Sequence, residues 1–284
     1  MKQTYSIQNI LSVLAVLAGA VIFSTGAKAA EVVDVKSRGE IVRILVEEPE
    51  AYLDFEKDPP LVEPKIVGAV ILFAGGSGVL EISEMGSMRH LSENFLVRSN
   101  TYFQEKGFVT AIIDGPTDAP GDLYGFRGTE NHAKDVAAVI AYLRKKFDVP
   151  VWLVGTSRGT NSVANAAVKL QGANGPDGIV LTATMLESNS KGDMVLEYSL
   201  SEIRIPVVIA HHRNDNCFVT PPHNVDDLVD ALKNAKVLAL HWYEGGPDSG
   251  PSCQAAGHHG FAALEQKVIY DIATTIKSSL PSAH

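Results

Sequence analysis

Residues 151–160, Val-Trp-Leu-Val-Gly-Thr-Ser-Arg-Gly-Thr, constrain this chain more than any other stretch. The first four are all apolar, and Pro150 stands where a strand entering a sheet tolerates proline. That pattern reads as a short strand buried on both faces. From Thr160 to Leu170 the residues read as a helix with small side chains on one side. Between strand and helix lies Gly155-Thr156-Ser157-Arg158-Gly159. A serine on a strand-to-helix turn, with a glycine two residues to either side, is the nucleophile-elbow pattern. The spacing has a steric reason. The turn forces the serine into a strained backbone conformation, and the glycines let strand and helix approach. The hydroxyl then projects at a helix N-terminus, where backbone N–H groups favour negative charge. A serine there also serves as a helix cap. The weight of the motif therefore rests on whether the chain supplies partners for it.

The first 29 residues stand apart. Lys2 gives a short positive start, residues 10–23 form an almost unbroken apolar run, and Ala27-Lys28-Ala29 supplies small residues for cleavage. This is the pattern of a secretory signal peptide. At about 14 residues the run is short of the roughly 20 that a spanning helix needs. The expectation is an exported protein, periplasmic or secreted, with one domain over residues 30–284 and no stable membrane association after cleavage. Loss of Lys2 and Lys28, with no acid, takes the formal charge from −9 to −11. A mildly acidic chain of this kind argues against nucleic acid as a partner. In an oxidising compartment the two cysteines, Cys217 and Cys253, are expected to pair.

The remainder alternates strand and helix. Strands are expected at 32–35, 41–46, 66–73, 108–113, 151–154, 179–182, 205–211 and 237–243. The first two read as an antiparallel pair turning at Ser37-Arg38-Gly39, and Asp58-Pro59-Pro60 reads as a loop. Helices are expected at 91–106, 129–147, 160–170, 225–232 and 261–276. Such alternation implies a mostly parallel sheet of about eight strands covered on both faces. Ligands in such sheets bind beyond the carboxyl ends of the strands. Beyond the seventh strand the chain reads His211-His212-Arg213-Asn214-Asp215-Asn216-Cys217; beyond the eighth it reaches Gly257-His258-His259-Gly260-Phe261. With Ser157 this gives the order serine, acid, histidine. The chemistry needs all three. An imidazole must take the hydroxyl proton, and a carboxylate must fix the imidazole tautomer and stabilise its cation.

On these residues the chain resembles the α/β-hydrolases, closest in layout to lidless dienelactone-hydrolase-like members, over nearly the whole of residues 41–276. The resemblance implies that His259 of His259-Gly260-Phe261 is the base, with His258 as the alternative. It implies that Asp215 is the acid, with Glu187, one strand earlier, as the alternative. It assigns the oxyanion hole to the backbone N–H groups of Arg158 and of Gly76, within Gly75-Gly76-Ser77. The Arg158 side chain is expected either to hold a substrate carboxylate or, the commoner fate, to pair with an internal acid such as Asp114. Tyr124 is expected among the substrate-binding residues, with residues 194–198 nearby. Only about 20 residues separate the sixth and seventh strands, too few for a cap domain. The expected partner is a small-molecule acyl substrate, with no cofactor. Cysteine would replace Ser157 in a dienelactone hydrolase proper. The pairs His211-His212 and His258-His259 invite a zinc reading, but adjacent histidines in an extended loop point apart, and no metal site is expected. The alternative from another class is a non-catalytic binding protein that keeps the fold.

Overall fold

A computed structural model describes residues 30–53, 61–62 and 64–280. The expected signal peptide and the 58–60 loop lie outside the described residues. The first hairpin joins β1 (Glu31–Ser37) to β2 (Glu40–Glu47). Its two turn residues, Arg38 and Gly39, both have positive φ, 56° and 94°, which matches the twist of the flanking strands. The Arg38 guanidinium bonds Asp135 at 2.7 and 2.8 Å and Asp118 at 3.0 and 3.1 Å, fastening the hairpin to its neighbours. A small antiparallel pair follows, β3 (Tyr52–Leu53) with β4 (Leu61–Val62).

The remaining elements are β5 (Gly68–Phe73), α1 (Phe95–Arg98), α2 (Asn100–Gln104), β6 (Phe108–Pro116) and α3 (Glu130–Phe147). After them come β7 (Val151–Ser157), α4 (Gly159–Lys169), β8 (Gly178–Thr184), β9 (Val207–His212), α5 (Val225–Ala231), β10 (Leu238–Tyr243) and α6 (Glu265–Ser279). The eight-stranded sheet runs β1-β2-β6-β5-β7-β8-β9-β10. β2 pairs antiparallel with β1 and β6, and the other pairings are parallel.

Alternate residues of the central strands feed two cores. Ala69, Ile71 and Phe73 of β5, with Val151 and Leu153 of β7, pack beneath α3, α4 and α5. Val70 and Leu72, with Trp152 and Val154, pack beneath α1, α2 and α6. Both faces are thus buried, the reason these strands read as continuous apolar runs. α3 shows how local chemistry sets the ends. The Thr129 side chain accepts from the His132 N–H at 3.1 Å, Glu130 lies in the first turn, and Arg144, Lys145 and Lys146 lie in the last. Asp148 then leaves the helix at φ 54°.

Two helix expectations are corrected. The 91–106 segment is broken. Leu91 takes φ 58°, Asn94 caps α1 by accepting from the Leu96 N–H, and Ser99 interrupts the turn before α2. Tertiary bonds favour the break: Arg98 reaches the carbonyls of Ala255 and Gly260, and the Asn100 amide bonds Glu47 of β2. The closing helix begins at Glu265 rather than at residue 261. Burial of Phe261 against Phe95 and Tyr243 turns the chain there, with Phe261 at φ 54° and Ala263 at φ 60°.

Between β8 and β9, residues 185–206 hold only two single-turn helices, and no cap domain covers the strand ends. The chain leaves β5 toward β6 on one side and returns to β7 on the other, so the ends of β5 and β7 form the topological switch point.

α4 approaches β5 so closely that its first residue must be glycine. A Cβ on Gly159 would lie 2.1 Å from the Phe73 carbonyl oxygen, and one on Gly155 would lie 2.6 Å from that of Gly159. Backbone cannot yield as a side-chain tip can. Gly159→Ala should therefore destabilise the fold by more than about 3 kcal/mol, or prevent soluble expression. Urea unfolding checks this, and a change below about 1 kcal/mol would show that α4 can shift without loss.

Candidate active site

Ser157 closes β7 at φ 53°, an uncommon conformation for a residue with a side chain, worth about 1–3 kcal/mol of strain. The turn is braced from behind. The Thr160 hydroxyl donates to the Ser157 carbonyl at 2.5 Å and accepts from the Met185 N–H at 3.2 Å. Ser157 and His259 line one cleft of about 420 Å³ with Gly75, Gly76, Asn94, Phe95 and Cys253. Gly75 lies against the nucleophile position: a Cβ there would come within 3.0 Å of the Ser157 Cβ. Gly76 adopts φ 58° in the same loop. The backbone of this loop thus lies against Ser157, on which the Arg158 backbone directly follows.

His259 sits in a single helical turn ahead of α6, buried, with Nδ1 3.0 Å from Asp215 Oδ2. Asp215 is buried too. Its Oδ1 accepts from the Cys217 N–H at 2.9 Å, and its Oδ2 accepts from the Thr220 hydroxyl at 2.8 Å. Burial by itself raises a carboxyl pKa. Here the bonds from His259, Cys217 and Thr220 outweigh burial and hold Asp215 below the usual carboxylate range. An ionised Asp215 takes the Nδ1 proton of His259 as its partner, which leaves Nε2 free to accept a proton.

The two alternatives from sequence lie elsewhere. Glu187 is exposed and accepts from Asn224 Nδ2 at 2.8 Å. His258 places Nδ1 3.0 Å from the Asn214 carbonyl and stacks on His212 at 4.2 Å. The two histidines at the end of β9 are also spoken for. His211 Nε2 donates to the Thr220 carbonyl at 3.0 Å, and His212 Nε2 donates to that of Gly245 at 2.9 Å. Among the described residues no three His, Cys, Asp or Glu side chains gather as a metal site.

The expected pairing of Arg158 with Asp114 is not made. Asp114 instead accepts from the N–H groups of Leu80, Ile82 and Gly115. Arg158 bonds Asn189 Oδ1 at 2.8 Å, and its guanidinium lies 5.2 Å from the centre of the Tyr124 ring. The Arg158 and Tyr124 side chains line a separate small pocket, not the cleft that holds Ser157.

Cys217 and Cys253 are bonded, with Cα atoms 4.6 Å apart, and tie the acid loop to the loop that precedes His259. Three supports carried no sequence signal. Thr220 bonds both Asp215 and His259, the latter at 3.2 Å. Arg98 holds the 255–260 segment by two carbonyls. Buried Arg127 donates to the Ala74 carbonyl at 2.9 Å and the Ser162 hydroxyl at 2.7 Å, joining the loop after β5 to α4. Each acts through a neighbour brought close only by folding, so no spacing reveals it.

No protein-family model matches the sequence, and no curated protein matches it. Solved structures do. The fold is the α/β-hydrolase fold in its lidless form. One similar structure is a cold-adapted esterase from an Arctic intertidal metagenomic library, at 15% identity and TM-score 0.58, covering 88% of this chain and 93% of that one. Another is an α/β serine hydrolase without lid from Xanthomonas campestris, at 15% identity and TM-score 0.56, covering 90% and 98%. A third is Thermogutta terrifontis esterase 2, phosphorylated by paraoxon, at 18% identity and TM-score 0.57, covering 90% and 97%.

Two stability predictions arise from these surroundings. Burial pushes His211 down to about 4 and His132 down to about 3 from an ordinary 6.5; His132 has no bond to either ring nitrogen among the described residues. Both are neutral when folded and protonate near their ordinary value when unfolded. Stability should be complete above about pH 6.5 and fall as pH drops toward 4, with a slope approaching two protons, about 1.4 kcal/mol per pH unit for each. Urea unfolding at pH 7, 6 and 5 reads the slope, and constant stability over that range contradicts it. Reducing the disulfide, which closes a loop of sequence separation 36, should remove up to about 4 kcal/mol by chain entropy and lower the melting temperature. An unchanged melting point after verified reduction would show the bond to be idle.

Proposed function

We propose that this protein is an exported serine hydrolase that cleaves a carboxylic ester, or the related thioester or amide, through an acyl-enzyme. One observation carries the reading. Strained Ser157 shares a cleft with His259, whose Nδ1 lies 3.0 Å from a buried, ionised Asp215. In the proposed reaction His259 Nε2 takes the Ser157 proton as Oγ attacks the acyl carbon. Negative charge on the carbonyl oxygen is met by the Gly76 and Arg158 amides. His259 returns the proton to the leaving group, then activates the water that releases the acid, while Asp215 stabilises the imidazolium at each stage. These steps call on no metal ion or organic cofactor.

The open cleft suits a small-molecule substrate. The esterase structures at similar TM-scores support a hydrolase reading of this fold. Export is inferred from the sequence of residues 1–29 and from the disulfide, which suits an oxidising compartment.

Organophosphate labelling tests the reading directly, paraoxon being the agent that phosphorylates the Thermogutta enzyme. Labelling should add one phosphoryl group at Ser157, located by peptide mass. Ser157→Ala should fold normally, take no label and lose turnover, keeping only the residual rate, about 10³–10⁴-fold over water, that oxyanion binding supports. Asp215→Asn should lower kcat by about 10⁴-fold through the wrong histidine tautomer, and Glu187→Gln should leave it unchanged. A wild-type chain that takes no label and turns over no ester would instead be a binding protein on a hydrolase fold.

A further inference from the structure

A second pocket adjoins the elbow. Arg158, the residue after Ser157, lines it together with Arg127, Lys191, Tyr124 and Tyr198. Lys191 is held at the tip of a tight turn in which Asn189 and Gly192 exchange backbone bonds at 3.1 Å, and its Nζ lies 5.4 Å from the centre of the Tyr124 ring. Three cations thus face one small space. Among the described residues none of them forms an ion pair with a carboxylate. The lining holds one acid, Asp193, exposed and unpaired with any of the three.

Such an arrangement is unfavourable as it stands. Arg127 is only 4% exposed, and its Nε has no bond partner among the described residues. Its pKa falls to about 10, through burial and then repulsion from Arg158, and burial lowers Arg158 as well. Tyr198 supplies no counter-charge, since burial pushes it up to about 12. A buried cation without a counter-ion is costly, and an anion that enters relieves it.

We propose that this pocket binds a carboxylate group carried by the substrate, so that the preferred ester is an anionic one. The gap is narrow, about 10 Å³, so a small anionic group fits it better than a bulky one. The Arg158 fork, now on the neutral Asn189 amide oxygen, suits two carboxylate oxygens. Arg158 directly follows Ser157 in the elbow, so the pocket that it lines borders the turn that carries Ser157, and the substrate implied is an ester long enough to reach from one to the other. The assignment of this carboxylate to a substrate rests on the hydrolase reading; occupancy of the pocket does not.

The test therefore has two parts. In Ser157→Ala, monomethyl succinate should raise the melting temperature saturably and dimethyl succinate should not, and the rise should vanish when Lys191→Met is added. No rise, or one that survives Lys191→Met, overturns the pocket whatever the chain's activity. In the active chain, kcat/KM is compared for ester pairs that differ by one charge. 4-Nitrophenyl hydrogen succinate against 4-nitrophenyl butyrate puts the charge on the acyl part, and 4-acetoxybutyrate against butyl acetate puts it on the alcohol. One anionic member should be preferred by about tenfold, despite a chain charge of −9, and Lys191→Met should shrink that ratio. Preference for the neutral member in both pairs, or a ratio that Lys191→Met leaves intact, overturns the substrate assignment.

Discussion

The contact between the first turn of α4 and the end of β5 governs this structure. Gly159 lies so close to the Phe73 carbonyl that no side chain fits, and Gly155 is pressed in turn by the Gly159 backbone. Only with both glycines can the chain reverse from β7 into α4 within the space of Ser157 and Arg158. That reversal drives Ser157 to φ 53° and aims it out of the sheet at the switch point. The strain is held by packing: every residue from Gly159 to Ala167 is buried. Stability of the core and exposure of one hydroxyl are thus two results of one steric constraint.

The surroundings of the proposed histidine follow a different logic. Residues 244–257 carry much glycine and proline and could not hold a ring in place by themselves. Order is imposed from outside, by the Cys217–Cys253 bond, by Arg98 on two carbonyls, and by Thr220 between Asp215 and His259. The His212–His258 stack adds a further link between the acid loop and the histidine loop. Rigid strands thus position the serine, and cross-links between loops position its partners.

Charge is arranged unevenly around the elbow. On the cleft side Ser157 shares its lining with His259, with the Gly75-Gly76 loop, with apolar and neutral polar residues and with one acid, Glu93. On the side of Arg158, cations gather without acids, although the chain as a whole is acidic. Arg127 belongs to both roles. It braces the loop after β5 through Ala74, and it brings a buried positive charge to the second pocket. A lysine could not do the same, because bracing two elements at once needs the spread of the guanidinium fork.

The sequence by itself determined the strand–helix alternation, the buried central strands and the elbow, because burial on two faces and a glycine-pressed turn each write a local pattern. It also ordered serine, acid and histidine along the chain, since each follows a strand end. The cysteine pair was legible from its count and from the export expected on the pattern of residues 1–29. The tertiary structure alone decided that Asp215 rather than Glu187 meets His259, and that His259 rather than His258 turns inward, because those choices depend on loop paths between β9 and α6. It alone broke the 91–106 helix, where Asn100 and Arg98 are drawn to partners more than fifty residues away in sequence. It likewise separated Arg158 from Asp114: the carboxylate was claimed by three backbone N–H groups, a demand that arises only when residues 79–82 fold over β6.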